Sequence, residues 1–177
     1  MLIHKPTSGY DSFYQPYLDD VPNDGDLLAH LKEIILETEK LISGLSDEQL
    51  LYRYEKDKWT IKDILVHLSD CERIITYRAM RIARGDKTGL PGFDEGTFAL
   101  AARANERDTK IILKELSALR EASVVFIESL DEESLDRTGT ANGFPMSARL
   151  LVNHLYGHHK HHLEMIRKKY LSSIGTM

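Results

Sequence analysis

Residues 151–166 read LVNHLYGHHKHHLEMI and contain five of the eight histidines of the chain. Leu151 and Leu155 mark an apolar stripe with the period of an α-helix, and His158 and His162 occupy the next positions of that stripe. Helices bury such a stripe against their neighbours. The segment therefore predicts a helix that points two imidazoles, one turn apart, into the interior of the protein.

Two imidazoles at positions i and i+4 of one helix can bind the same metal ion, and helical zinc motifs use this spacing. Because a helix rises about 1.5 Å per residue, His154 and His162 are roughly 12 Å apart along the axis, too far to share one ion. His158 can pair with His154, His161 or His162, whereas His159 points away from that face. The alternative interpretation is a histidine-rich surface helix that binds nothing.

Length, composition and charge limit the classes of function. The 177 residues are enough to bury a core, and we expect a single domain over residues 1–177. A net charge of −5, with basic residues scattered among acids, argues against a nucleic-acid partner. The single cysteine, Cys71, forms no internal disulfide and favours a cytoplasmic protein. The first residues lack a signal peptide's apolar core, and no stretch has the roughly 18 apolar residues of a membrane span, so we expect no membrane partner.

Apolar periodicity predicts an all-α protein, a four-helix bundle over residues 26–171. Residues 1–25 are punctuated by Pro and Gly and predict an irregular N-terminal arm. No strand pattern is evident, residues 137–145 are expected to be a loop, and residues 172–177 are expected to fray. The predicted helices cover residues 26–43, 60–85, 97 or 107 to 130, and 147–171.

Helix two of this prediction carries further candidate ligands. His67 lies at the inward edge of its apolar stripe, where a lone histidine is more often a packed core residue than a ligand. With an inward histidine pair on another helix, His67 becomes a candidate third ligand, because bundles build metal sites from facing helices. Cys71, four residues further on, could compete for that role. Asp70 could be a ligand or could orient an imidazole.

Aromatic residues recur at helical spacing in the N-terminal arm, at Tyr10, Phe13, Tyr14 and Tyr17. The simpler interpretation is that these side chains pack onto the bundle. The alternative is that they form a lid over a pocket.

Three segments, taken in order, resemble the DinB superfamily: KWTIKDILVHLSD at 58–70, LPGFDE at 90–95 and HHKHHLEMI at 158–166. The aromatic arm is similar as well, so the resemblance extends along nearly the whole chain. It implies an up-up-down-down four-helix bundle, commonly a homodimer.

The resemblance also implies a three-histidine site for a divalent metal ion, zinc or nickel. This site falls on His67, His158 and His162. Among the partners that spacing left open for His158, it selects His162, because His154 and His161 do not match ligand positions of the family.

The resemblance implies an enzyme that acts on a small molecule, most simply a thiol-dependent S-transferase that uses bacillithiol, mycothiol or a similar thiol. A metal-dependent hydrolase and a non-catalytic metal-binding stress protein are the alternatives. Three histidine ligands leave a coordination position open for water or a thiol, as in catalytic zinc sites. No general base stands out, since Asp70, Asp94 and Glu95 are expected to be surface or loop acids. Cys71, on a core-facing position, is expected to be an inert thiol.

Overall fold

The computed structural model describes residues 1–172, and four long helices dominate it. Helix α4 packs against both α6 and α8, and α2 packs against the same two helices, so α2 and α4 lie diagonally opposite each other. The predicted all-α four-helix bundle is therefore confirmed. The α-helices are α1 (Gln15–Asp19), α2 (Leu27–Ser43), α3 (Asp47–Leu51), α4 (Ile61–Ala83), α5 (Glu95–Ala101), α6 (Thr109–Glu128), α7 (Glu132–Asp136) and α8 (Ala148–Met165).

Local capping explains where the two helices that carry the candidate ligands begin. The Thr60 hydroxyl accepts from the backbone N–H of Asp63, and the Asp63 carboxylate accepts from the Thr60 N–H, which is a capping box at the start of α4. The Ser147 hydroxyl accepts from the N–H of Leu150 and starts α8. Both predicted helix starts are confirmed.

The predicted fourth helix continues beyond Met165 as one π-helical stretch, Ile166–Leu171. Of the two starts predicted for the third helix, 97 or 107, the later one lies close to the start of α6, because Arg103 adopts a left-handed conformation (φ 48°) that separates α5 from α6. A 3-10 turn, Ala104–Glu106, follows that break. Of the tail expected to fray, residues 173–177 lie outside the described part of the chain.

The prediction of no strand, with a loop over 137–145, was wrong. Strands β1 (Thr138–Ala141) and β2 (Phe144–Ser147) pair antiparallel. Asn142 and Gly143 join them, both at positive φ (52° and 80°), as a two-residue hairpin turn of type I′ requires. The strands have four residues each, too few for a period of two to stand out.

The N-terminal arm packs on α8 through a close backbone approach. A 3-10 turn, Ser12–Tyr14, leads into α1, and α1 lies against α8 at Gly157. A β-carbon at position 157 would overlap the carbonyl oxygen of Tyr17. Glycine therefore allows the aromatic side chains of the arm to reach the histidines on either side of it. Across residues 1–172, none of the helices combines the length and the apolar content that a membrane span needs.

Candidate metal centre

Three histidine side chains meet between α4 and α8. The Nε2 atom of His158 lies 3.2 Å from Nε2 of His67 and 3.1 Å from Nε2 of His162. The ring centroids of His67 and His162 are 4.9 Å apart. His158 and His162 are neighbours because they are one turn apart on α8, and His67 joins them because α4 packs against that helix. All three side chains are buried.

The separations of His158 from His67 and from His162, and the charge state of all three imidazoles, fit a metal ion. Two nitrogen ligands at about 2.0–2.1 Å from a tetrahedral zinc ion lie about 3.3 Å from each other, close to the observed separations. Burial lowers the pKa of His67 to about 4. Burial, with the neighbouring histidines, holds the pKa of His158 and of His162 well below the usual range. The rings are therefore neutral at physiological pH, the form that coordinates a metal.

Aromatic rings enclose the three histidines on two sides. Trp59 packs against His67, with ring centroids 4.7 Å apart, and stacks at 6.5 Å on His162. Tyr17 of the arm covers His158 at 5.9 Å. These contacts restrict the rotamers of the imidazoles and exclude water from the faces that they cover.

Cys71 provides a fourth donor beside the cluster. Its Sγ atom is 3.7 Å from Nδ1 and 3.6 Å from Nε2 of His67. One donor atom each from His67, Cys71 and His158 lie within 4.8 Å of one another. Burial raises the pKa of the Cys71 thiol, so the sulfur is a neutral thiol unless a metal ion deprotonates it. The structure thus offers two sets of three donors. One set is His67, His158 and His162, and in the other Cys71 takes the place of His162.

The remaining histidines of residues 151–166 have other surroundings. His154 is buried, and its ring packs against Tyr14 at 5.0 Å and Tyr17 at 4.8 Å. Burial, with a smaller effect of Arg78, lowers the pKa of His154 to about 3. His161 is exposed and contacts Tyr17 at 5.4 Å.

The three acidic residues near the motifs differ in position. Asp70 forms an ion pair with Arg73 at 3.5 Å, and within residues 1–172 it makes no hydrogen bond to an imidazole. Asp94 caps α5 by accepting from the N–H of Thr97, so it has a structural role. Glu95 lies at the rim of a cavity that reaches His158, and burial raises the pKa of its carboxyl.

That cavity measures about 90 Å³ and lies between the arm, α4 and α8. Tyr14 and Tyr17 form part of its wall, so the aromatic residues of the arm both pack on the bundle and line a pocket. The prediction that the aromatic side chains of the arm pack onto the bundle is confirmed. Movement of the arm as a lid stays a prediction.

Sequence reasoning missed a buried polar cluster that joins all four long helices. The Arg120 guanidinium donates to both carboxylate oxygens of Glu72 at 2.8 Å, to the Leu31 carbonyl at 3.1 Å and to Nδ1 of His159 at 3.2 Å. The other ring nitrogen of His159 lies 2.8 Å from the Thr38 hydroxyl. His159 does point away from the other histidines, but into this cluster rather than to solvent. The sequence did contain one signal of this cluster, because Glu72 and Arg120 are charged residues at inward positions of apolar helix stripes.

Comparison with known proteins agrees with this architecture. A family model described as the DinB superfamily matches residues 30–166. A protein of Oceanobacillus iheyensis, named "Putative metal-dependent hydrolase", is 28% identical over 85% of this chain and 89% of its own. A protein of Geobacillus thermodenitrificans with the same name is 28% identical over 78% of this chain and 79% of its own. The solved structure of YfiT from Bacillus subtilis, which has an unusual four-helix bundle topology, superposes with a TM-score of 0.72. That match has 16% identity and covers 93% of each chain.

Proposed function

The chain belongs to the DinB superfamily, and on that basis we propose that it is a metal-dependent hydrolase whose ion is held by His67, His158 and His162. The observation that carries the proposal is a cluster of three buried, neutral imidazoles, in which His67 and His162 each place a ring nitrogen 3.1–3.2 Å from Nε2 of His158. The names of the relatives support hydrolysis. Zinc and nickel are the proposed ions, since both accept imidazole ligands.

Three protein ligands leave at least one coordination position for a substrate or a reactant. A divalent ion held there would act as a Lewis acid, polarising a carbonyl group or lowering the pKa of a water molecule or thiol. The cavity beside His158 is the proposed substrate site. Glu95 is the proposed general base, because its carboxyl lines that cavity and its raised pKa moves it towards the range useful for proton transfer.

A thiol-dependent S-transferase, with bacillithiol or a similar thiol as co-substrate, is the second candidate. Among the residues 1–172 that line the cavity, Glu95 is the only carboxylate, and most of the others are aromatic or aliphatic. Such a wall suits a soft sulfur nucleophile, which needs no protein base once it is a thiolate. The third hypothesis is a non-catalytic metal-binding protein, which would bind the ion but would not turn over a substrate.

Elemental analysis of protein purified without a histidine tag tests the site. We expect about one divalent ion per chain in the wild type, as a single three-ligand site would hold. His67→Ala, His158→Ala and His162→Ala should each lose the ion, whereas the exposed neighbour variant His161→Ala should keep it. Loss of the ion in Cys71→Ser but not in His162→Ala would replace the proposed set by His67, Cys71 and His158. A folded wild type without metal, even after incubation with zinc and nickel, would refute the site.

Activity of the metal-loaded protein separates the two enzymes. A hydrolase should cleave small ester or amide substrates without added thiol, and Glu95→Gln should lower the rate by about 100-fold, the size of a general-base effect. Asp94→Asn, next in the chain but engaged in capping α5, is the matched control. A reaction that requires added thiol and survives Glu95→Gln would favour the transferase.

A further inference from the structure

Arg78 is a buried cation on α4. Only 8% of the residue is exposed, and its guanidinium donates to the Pro91 carbonyl at 2.6 Å and lies 5.9 Å from the ring centroid of Phe93. Within residues 1–172, no carboxylate forms an ion pair with it. Charged groups are rarely buried without a counter-charge, because desolvation costs several kcal/mol that only a paired group returns. A bound anion would therefore supply the counter-charge that the described residues do not provide for Arg78.

The guanidinium faces the same cavity as the metal-site candidate His158. His154, between them on the cavity wall, is also buried, and its Nδ1 atom has no hydrogen-bond partner in the described part of the chain. Arg78 and His154, one charged and one neutral, thus both line a space of about 90 Å³. Glu95 lines the cavity too, at its exposed rim, and in the described part of the chain it forms no ion pair with Arg78. The inner end of the cavity is therefore positive.

We propose that this inner end binds a carboxylate of the substrate, paired with Arg78 and accepting a second hydrogen bond from the Nδ1–H of His154. The inference rests on the proposed function and assigns its substrate class: small organic acids whose reactive bond lies a few atoms from a carboxylate. The guanidinium fork matches a carboxylate in a bidentate manner. The remaining volume accommodates a short chain that extends towards His158.

The test is calorimetric titration of the zinc-loaded protein with propionate, and with propionamide as the neutral analogue of the same shape. We expect propionate to bind and propionamide not to bind. Arg78→Met should weaken propionate binding by about tenfold or more, because charge-assisted hydrogen bonds are lost. The zinc content should stay unchanged. Arg84→Met, an exposed arginine at the end of the same helix, is the matched control and should bind propionate as the wild type does.

Equal binding of propionate to the wild type and to Arg78→Met would overturn the inference, since the ion alone would then capture the anion. Absence of binding to the zinc-loaded wild type would overturn it as well. If Arg78→Met does not fold, Arg78→Lys keeps the charge without the fork, and unchanged affinity in that variant counts against the proposal. Propionate binding that depends on Arg78 in a protein without metal would uphold this site while the proposed function fails.

Discussion

The buried pair of Glu72 and Arg120 allows a quantitative prediction about stability. Both side chains are only 3% exposed, and the two hydrogen bonds between them are 2.8 Å long. Glu72→Gln leaves a buried guanidinium without its counter-charge, which costs about 3–5 kcal/mol in comparable pairs. We expect the free energy of unfolding to fall by that amount.

The double variant Glu72→Leu with Arg120→Met should be less destabilised than Glu72→Gln. It removes both charges together, and apolar residues of similar volume can replace a buried ion pair at little cost. It does leave Nδ1 of His159 without its donor, which costs about 1–3 kcal/mol, whereas the Leu31 carbonyl lies inside α2 and keeps the hydrogen bond of its own helix. The expected net loss is therefore about 1–3 kcal/mol.

The assay is equilibrium unfolding in urea at one fixed metal concentration, because a bound ion adds to the stability of every variant. Arg73→Met is the matched control, since Arg73 and Glu115 form a pair between the same two helices but at the surface, where such pairs contribute about 0–1 kcal/mol. A loss below about 1 kcal/mol for Glu72→Gln, or a double variant worse than the single one, would refute the reasoning.

Three further predictions concern the arm, the hairpin and the ion. Gly157→Ala should destabilise the protein and raise the rate of proteolysis in the arm, although alanine normally favours a helix by about 1 kcal/mol over glycine; a stabilised variant would contradict the close approach to Tyr17. Gly143→Ala should cost about 1 kcal/mol in urea unfolding because φ is 80° there, and Gly89→Ala, with open space around it, serves as control. Removal of metal by a chelator should lower the melting temperature by about 5–10 °C if the ion is present at about 100 times its Kd, and zinc should restore it; an unchanged melting temperature would count against a bound ion.

Local chemistry made much of the fold predictable. The starts of α4 and α8 depend on Thr60 and Ser147, whose hydroxyls accept hydrogen bonds from backbone groups three residues further on. The spacing of His158 and His162 is equally local, because one helical turn separates them. The hairpin was missed although Asn142 and Gly143 are a local turn signal, because strands of four residues are too short for alternation to stand out. Leu90, about fifty residues away, adds a bridge at Ala141 that no local pattern indicates.

The candidate site was predictable only in part. His67 was placed at the inward edge of its stripe, but its approach to His158 depends on how α4 and α8 pack. The unpaired charge of Arg78 and the orphan nitrogen of His154 were not foreseen, because a sequence does not say which partners an inward residue lacks.

The sequence by itself determined where α4 and α8 begin and which face of α8 carries the histidine pair, because these depend on interactions within about one helical turn. The tertiary structure alone decided that His159, next to His158 in the chain, belongs to the Arg120 cluster rather than to the candidate metal centre. Neighbouring residues of a buried helix face different partners, and only the packing of the other three helices determines which chemistry each side chain meets.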